Sequence, residues 1–187
     1  MNRILSILLL FSVISCNNDR RTINTTVKKS ENYTLYSNST FKMFTKLKTL
    51  AQYKLENSNR NVFVYEKIDE TFVDAYDYEP RYTEVLIFEF DPNVETFKYA
   101  DKELGEINCK YSWEVLTKIP ELKVKDIKKG FISGKRISKD TWEIVVEIDT
   151  DFRFGGYLEK QKARKIKFTK TIKITPRNKV YKSLYYK

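Results

Sequence analysis

At 187 residues, 41% hydrophobic and 32% charged, the chain is long enough for one cored domain and is neither disordered nor a bundle of membrane helices. It contains no histidine, which excludes Ser-His-Asp and Cys-His nucleophile systems and the commonest transition-metal ligand. The formal charge of +10 is segregated: residues 152–187 hold twelve Lys or Arg against Glu159 alone, whereas residues 62–91 hold nine acids against Lys67 and Arg81. Acidic and basic strands side by side in one sheet account for this pattern. A basic face for anionic lipid, glycan or a protein partner is the sharper, less favoured reading. A Lys, Asn, Ile and Tyr bias also fits an AT-rich genome. Thirteen Tyr and twelve Phe beside only five Gly favour strands.

Met1-Asn2-Arg3 gives a short positive start, and Ile4 to Ile14 is a mostly apolar run. As a helix that run spans about 16 Å, too short for a hydrocarbon core of roughly 30 Å. The pattern is that of a cleaved signal peptide, not of a spanning helix. Val13-Ile14-Ser15-Cys16 resembles the bacterial lipobox. The resemblance implies that residues 1–15 are removed and that Cys16 carries the lipid. It also implies a membrane partner through Cys16, because two or three acyl chains anchor stably where one does not. Asn17 in place of Asp favours the outer membrane over the inner. The composition and loose lipobox are similar to lipoproteins of the Bacteroidetes group. The acidic cluster those proteins use for surface export is missing from Asn17-Asn18-Asp19-Arg20-Arg21, so the expected site is periplasm-facing. Ordinary secretion is the alternative, with Asn24, Asn32 and Asn38 as glycosylation acceptors in Asn-x-Thr triplets.

Residues 16–38 read as the lipidated cysteine and a flexible polar tether. Residues 39–187 read as a single β-rich globular domain. Ser39 is a plausible N-cap for an amphipathic helix, since Phe41, Phe44, Leu47, Leu50, Ala51 and Leu55 share one helical face. After Asn57-Ser58-Asn59 the period becomes two, predicting strands over 61–67, 71–77, 81–90, 95–100, 106–115, 122–137, 141–149 and 163–175. Strand 81–90 is apolar on both faces, as a central strand should be. Strands 141–149 and 163–175 place Glu143 and Glu147 where an antiparallel partner presents lysines. The expected fold class is therefore α+β, with one N-terminal helix packed on a curved, mainly antiparallel sheet or open barrel.

Two segments are candidates for ligand or membrane contact. Asp149 to Leu158 joins the last two strands and carries Phe152, Arg153, Phe154, Tyr157 and Leu158 around Gly155-Gly156, with lysines following. An aromatic tip with basic shoulders suits an anionic membrane or a gated cavity; strands that simply run further are the structural alternative. Tyr76, Tyr78 and Tyr82 surround Pro80 among carboxylates, as in a sugar-binding surface or a Tyr-rich turn. Gly130-Phe-Ile-Ser-Gly134-Lys135-Arg136 is one residue short of a P-loop and lacks its Ser/Thr. Asp149 and Asp151 lack the ligand ladder of a calcium loop. Glu84 is the one acid that looks inward, and Cys109 reads as a small buried hydrophobe. No catalytic residue, metal site or cofactor is assigned. The sequence favours a membrane-anchored, non-catalytic module for a small ligand or an envelope protein, with nucleic acid excluded by export. A His-free carboxylate hydrolase of envelope glycans is the alternative.

Overall fold

The computed structural model describes residues 25–46, 50–73, 81–116, 121–154 and 162–176. Within them run β1 (Thr25–Tyr36), β2 (Ser39–Lys46), β3 (Leu50–Asn57), β4 (Asn61–Val73), β5 (Arg81–Phe90) and β6 (Thr96–Ala100). A 3-10 turn over Asp101–Gly105 follows, then β7 (Lys110–Leu116), β8 (Glu121–Asp126), β9 (Gly130–Ser138), β10 (Thr141–Phe154) and β11 (Lys162–Thr175). Nine strands form one curled half-barrel sheet in the order β6-β9-β10-β11-β1-β4-β5-β7-β8, and β2 and β3 form a separate hairpin. Every pairing is antiparallel except β1 with β11.

The expected α+β class is corrected to an all-β architecture, because among the described residues no N-terminal helix packs on the sheet. Residues 39–46 and 50–57, which carry a helical stripe, pair instead as β2 and β3, registered from Ser39↔Asn57 to Lys46↔Leu50. The segment satisfies both periods. Phe41 with Met43, and Tyr53 with Leu55, alternate as strands require, and it is these that turn inward. The tertiary partner decides. The outward face of β4 and β5 offers a flat apolar strip, Val62, Val64, Val85 and Ile87, which a two-stranded ribbon covers along its length. On the solvent side Lys42 bonds Glu56 at 2.8 Å and holds its carboxyl below the usual range.

The expected tether is corrected in part. Thr25–Tyr36 is β1, paired with β4 through an unbroken register from Thr25↔Val73 to Tyr36↔Val62. Its polar composition hid it. Lys28, Asn32 and other polar residues of β1 are exposed, and among its described side chains only Leu35 and Tyr36, near its end, are buried.

The main core lies in the concavity. Leu35, Phe63, Leu86, Phe88, Phe90, Tyr111, Ile132, Trp142, Ile144, Val146 and Ile148 are all buried there. Phe90 meets Trp142 edge-on at 4.8 Å, and Phe63 stacks on Phe88 at 4.8 Å, geometries that aromatic quadrupoles favour. A polar cluster closes this apolar end. Asn108 donates to Glu89 Oε1 at 3.0 Å, and the Arg60 guanidinium donates to the Glu89 carbonyl at 3.3 Å. At the far side, Glu147 meets Lys167 across β10–β11 at 2.7 Å, as the alternation predicts, while Glu143 lies opposite Thr171 and Lys135. The glycine-rich Gly130–Arg136 lies within β9, so it makes no strand-to-helix phosphate loop.

Candidate functional site

Residues directly opposite in a ladder share a face, so the register alone maps the concave surface of β1, β4, β5 and β7. Its rows read Leu35–Phe63–Phe88, then Tyr33–Tyr65–Leu86–Tyr111, then Glu31–Lys67–Glu84–Trp113, then Lys29–Asp69–Tyr82. The surface thus changes from apolar core to aromatic belt to charge within six residues of each strand. Glu84 does face inward and is buried at 3% exposure, whereas Tyr82, one row further out, is 39% exposed.

A cleft of about 390 Å³ opens on this surface between β1 and β11. Its floor is Glu31, Tyr33, Tyr65 and Lys67, and its wall is the continuous run Lys165 to Lys170. The opening follows from the strand pairing. β11 lies along β10 from Lys162 to Lys173, but meets β1 only at Leu35↔Ile174 and Tyr36↔Thr175. Beyond those two pairs the strands part, and side chains fill the seam instead of backbone hydrogen bonds. Phe168 meets Tyr33 edge-on at 5.1 Å and Tyr65 at 5.2 Å. Lys170 extends from β11 so that its ammonium lies 4.6 Å from the Tyr33 ring centroid. That cation–π contact ties the two sides of the cleft together.

The electrostatics are mixed but lean basic. Lys67 is shared with Asp69 at 3.5 Å. The Tyr33 hydroxyl donates to Glu31 Oε2 at 2.9 Å. Burial, and then that carboxylate, push the Tyr33 phenol up to about 12, so at neutral pH it stays a donor and fixes Glu31. The chemistry on offer is an aromatic floor, one oriented carboxylate and several ammonium groups.

Of the residues singled out from the sequence, Tyr82 lies at the mouth of this concave surface. Phe152, Arg153 and Phe154 lie on the last turns of the β10 ribbon, where Arg153↔Ala163 and Phe154↔Lys162 continue the ladder past an irregularity after Asp149. Cys16, Tyr76, Tyr78, Tyr157 and Leu158 lie outside the described residues. Cys109 is buried, and burial raises its thiol well above the ordinary cysteine range. Tyr33, Glu31, Lys67, Phe168 and Lys170 were not candidates from sequence. The available signal was the alternation of Lys29, Glu31, Tyr33 and Leu35, which only a partner strand makes meaningful. Among the described residues no three acidic or cysteine side chains gather to hold a metal ion, and no helix is long and apolar enough to cross a membrane. No protein-family profile, curated protein or solved structure matches the chain.

Proposed function

We propose that this chain is a lipid-anchored cell-envelope protein whose β-domain binds a ligand or partner, without catalysis, in the cleft between β1 and β11. The observation that carries the binding reading is the cleft itself: aromatic rings and ammonium groups line a space where two strands of one sheet separate. The lipobox-like Val13-Ile14-Ser15-Cys16 supports the anchor, the membrane as partner, and an outer-membrane, periplasm-facing location. Cys16 precedes Thr25, the first residue of β1, by nine positions, which reach at most about 30 Å when extended. The separated end of the seam is the end where β1 begins, so an anchored chain holds the mouth of the cleft close to the bilayer.

Native mass spectrometry of residues 23–187, which keep every described strand, after incubation with envelope extract tests the binding reading. An added mass lost in a Tyr33→Ala/Phe168→Ala variant is expected; a bound mass indifferent to those changes overturns the cleft as the site. For the anchor, Cys16→Ser should abolish labelling by a clickable fatty acid and release the protein from membranes. Retention on membranes without label would refute lipidation.

A second reading, a carboxylate-dependent glycan hydrolase, is favoured by one row of the sheet. Glu31 and Glu84 flank Lys67 on adjacent strands, so their Cα atoms lie about 10 Å apart at two strand spacings. Inverting glycosidases hold two carboxyl groups about 6.5–9.5 Å apart, and two glutamates on one face of such a frame are the arrangement from which that spacing can be built. Release of reducing ends from envelope glycan, abolished by Glu84→Gln, would establish this reading in place of the first.

A further inference from the structure

The seam between β1 and β11 exposes more than side chains. β1 uses one edge along its whole length to pair with β4, and β11 uses one edge to pair with β10. Their other edges face each other and, among the described residues, share only the two pairs ending at Tyr36↔Thr175. An unpaired edge presents a row of backbone N–H and C=O groups and is a template for another strand. The cleft lies directly along such a row, since consecutive residues of both parities, Lys165 to Lys170, line it.

The side chains select what can approach. Lys67, Lys165, Lys167 and Lys170 line the cleft against Glu31 alone. Lys167 keeps its side chain 73% exposed even while it bonds Glu147. A basic or uncharged strand gains nothing from these ammonium groups, whereas an acidic one is steered in and paired. Where floor and wall meet, the partly buried rings of Tyr33 and Phe168 offer an apolar surface. An extended chain sends alternate side chains to opposite sides, so acidic residues can meet Lys165 and Lys167 on one side while apolar ones meet the rings on the other, where Lys67 and Lys170 flank them. The chain's own ends do not have this chemistry: residues 177–187 carry Arg177, Lys179, Lys182 and Lys187 and no acid, and residues 17–24 carry Arg20 and Arg21 against Asp19.

Building on the cleft as the binding site, we infer that its occupant is an extended acidic segment of a partner protein, alternating acidic and apolar residues, which adds as a strand to the free edge of β11. Strand addition takes affinity from main-chain hydrogen bonds and specificity from alternate side chains. The six-residue wall, about 20 Å at 3.3 Å per residue, sets the length recognised.

Fluorescence anisotropy with a labelled peptide of about eight residues, alternating Glu and Val, tests this. The peptide should bind the full chain in a salt-sensitive manner, and the same peptide with Lys for Glu should not. N-methylation at alternate amides leaves the side chains in place and removes the ladder donors; it should weaken binding by about tenfold or more. Lys165→Gln/Lys170→Gln, both at exposed positions, should weaken it by about tenfold, with the circular dichroism spectrum unchanged. Equal binding of the N-methylated peptide overturns strand addition and leaves a side-chain anion site. No binding of the Glu peptide, beside an envelope ligand that Tyr33→Ala/Phe168→Ala abolishes, overturns the peptide inference and leaves the cleft as a binding site. An envelope ligand indifferent to those changes overturns both.

Discussion

Replacing Gly134 by Ala is expected to destabilise the domain through one identifiable ring. A Cβ there would lie 2.3 Å from Cε1 and 2.5 Å from Cζ of Phe97, its partner across the β6–β9 ladder, and 3.1 Å from Cδ1 of Ile144. Carbon atoms in contact sit about 3.5–4.0 Å apart, so the ring must retreat by about 1 Å. It has little room, being held 4.5 Å from Phe90, 5.9 Å from Trp142 and 5.8 Å from Tyr99. Overpacking of this kind costs about 1–3 kcal/mol, and a disturbed Phe90 contact adds about 0.5–1.5 kcal/mol. Relief of glycine's backbone entropy returns about 0.5–1 kcal/mol, leaving a net loss of about 0.5–4 kcal/mol. Phe97→Leu, destabilising by itself, vacates the space that the new methyl needs. The Gly134→Ala/Phe97→Leu double variant should therefore fall short of the summed single losses by at least about 1 kcal/mol. Urea unfolding followed by tryptophan fluorescence measures this, since Trp142 is fully buried beside Phe97. Losses that add to within about 0.5 kcal/mol would refute the idea that the ring occupies the glycine's missing side chain.

Gly130→Ala should cost more, at least about 3 kcal/mol, because φ there is +105° and the Cβ would meet the Glu147 carbonyl oxygen at 2.2 Å, backbone that cannot swing aside; an equal or smaller loss in the same urea assay would show that the start of β9 is pliable. Tyr53 donates to buried Glu66 at 3.1 Å beneath the β2–β3 hairpin, so Tyr53→Phe should cost about 1.5–3 kcal/mol and speed amide exchange in the hairpin first. Iodoacetamide should leave Cys109 untouched in the native chain and alkylate it in urea, since burial disfavours its thiolate; rapid native labelling would contradict its place in the core. The raised Tyr33 pKa stabilises the fold fully below pH 10.0 and that contribution disappears as the pH rises through about 12. Tyr33→Phe should remove one late step from the ultraviolet phenolate titration, and an unchanged titration would contradict the Glu31 contact.

The strands that could be read directly were those whose side chains carry their own explanation. Residues 81–90 coincide with β5 because a central strand needs apolar groups on both faces, and Trp142 to Ile148 alternate because one face of β10 meets water. The β1 strand was illegible for the opposite reason. Its middle residues, Lys28 to Thr34, contribute little to the core, so its hydrogen bonds come from the β4 edge and nothing in its composition demands them. Residues 39–57 were ambiguous in principle, since Phe41, Phe44 and Leu55 suit a helix while Phe41, Met43, Tyr53 and Leu55 suit a ribbon. The strip on β4 and β5 that selects the ribbon is built from residues further along the chain. The cleft inherits both difficulties, because half of its floor lies on β1 and the opening exists only where a ladder stops.

The lysines of β11 have a reason that the net charge conceals. Lys167 bonds Glu147 at 2.7 Å and Lys173 bonds Asp140 at 3.2 Å, but these side chains are so exposed that water screens both pairs and they add little to stability. Stability is a weak motive for five lysines on one strand. Edge protection is a stronger one. β11 borders a stretch of unpaired backbone, and charged side chains along such an edge deter the indiscriminate strand pairing that leads to aggregation. Deterrence of this kind depends on sign. Ammonium groups that make the edge unattractive to neutral or basic strands make it attractive to acidic ones. The acids of residues 62–91 show the complementary use, with Glu66, Glu84 and Glu89 drawn inside to organise the sheet. Charge segregation along the chain thus follows from two demands of one fold, buried carboxylates within the sheet and ammonium groups along its open seam. The second demand, protection of an edge, already specifies the charge of any strand admitted to it.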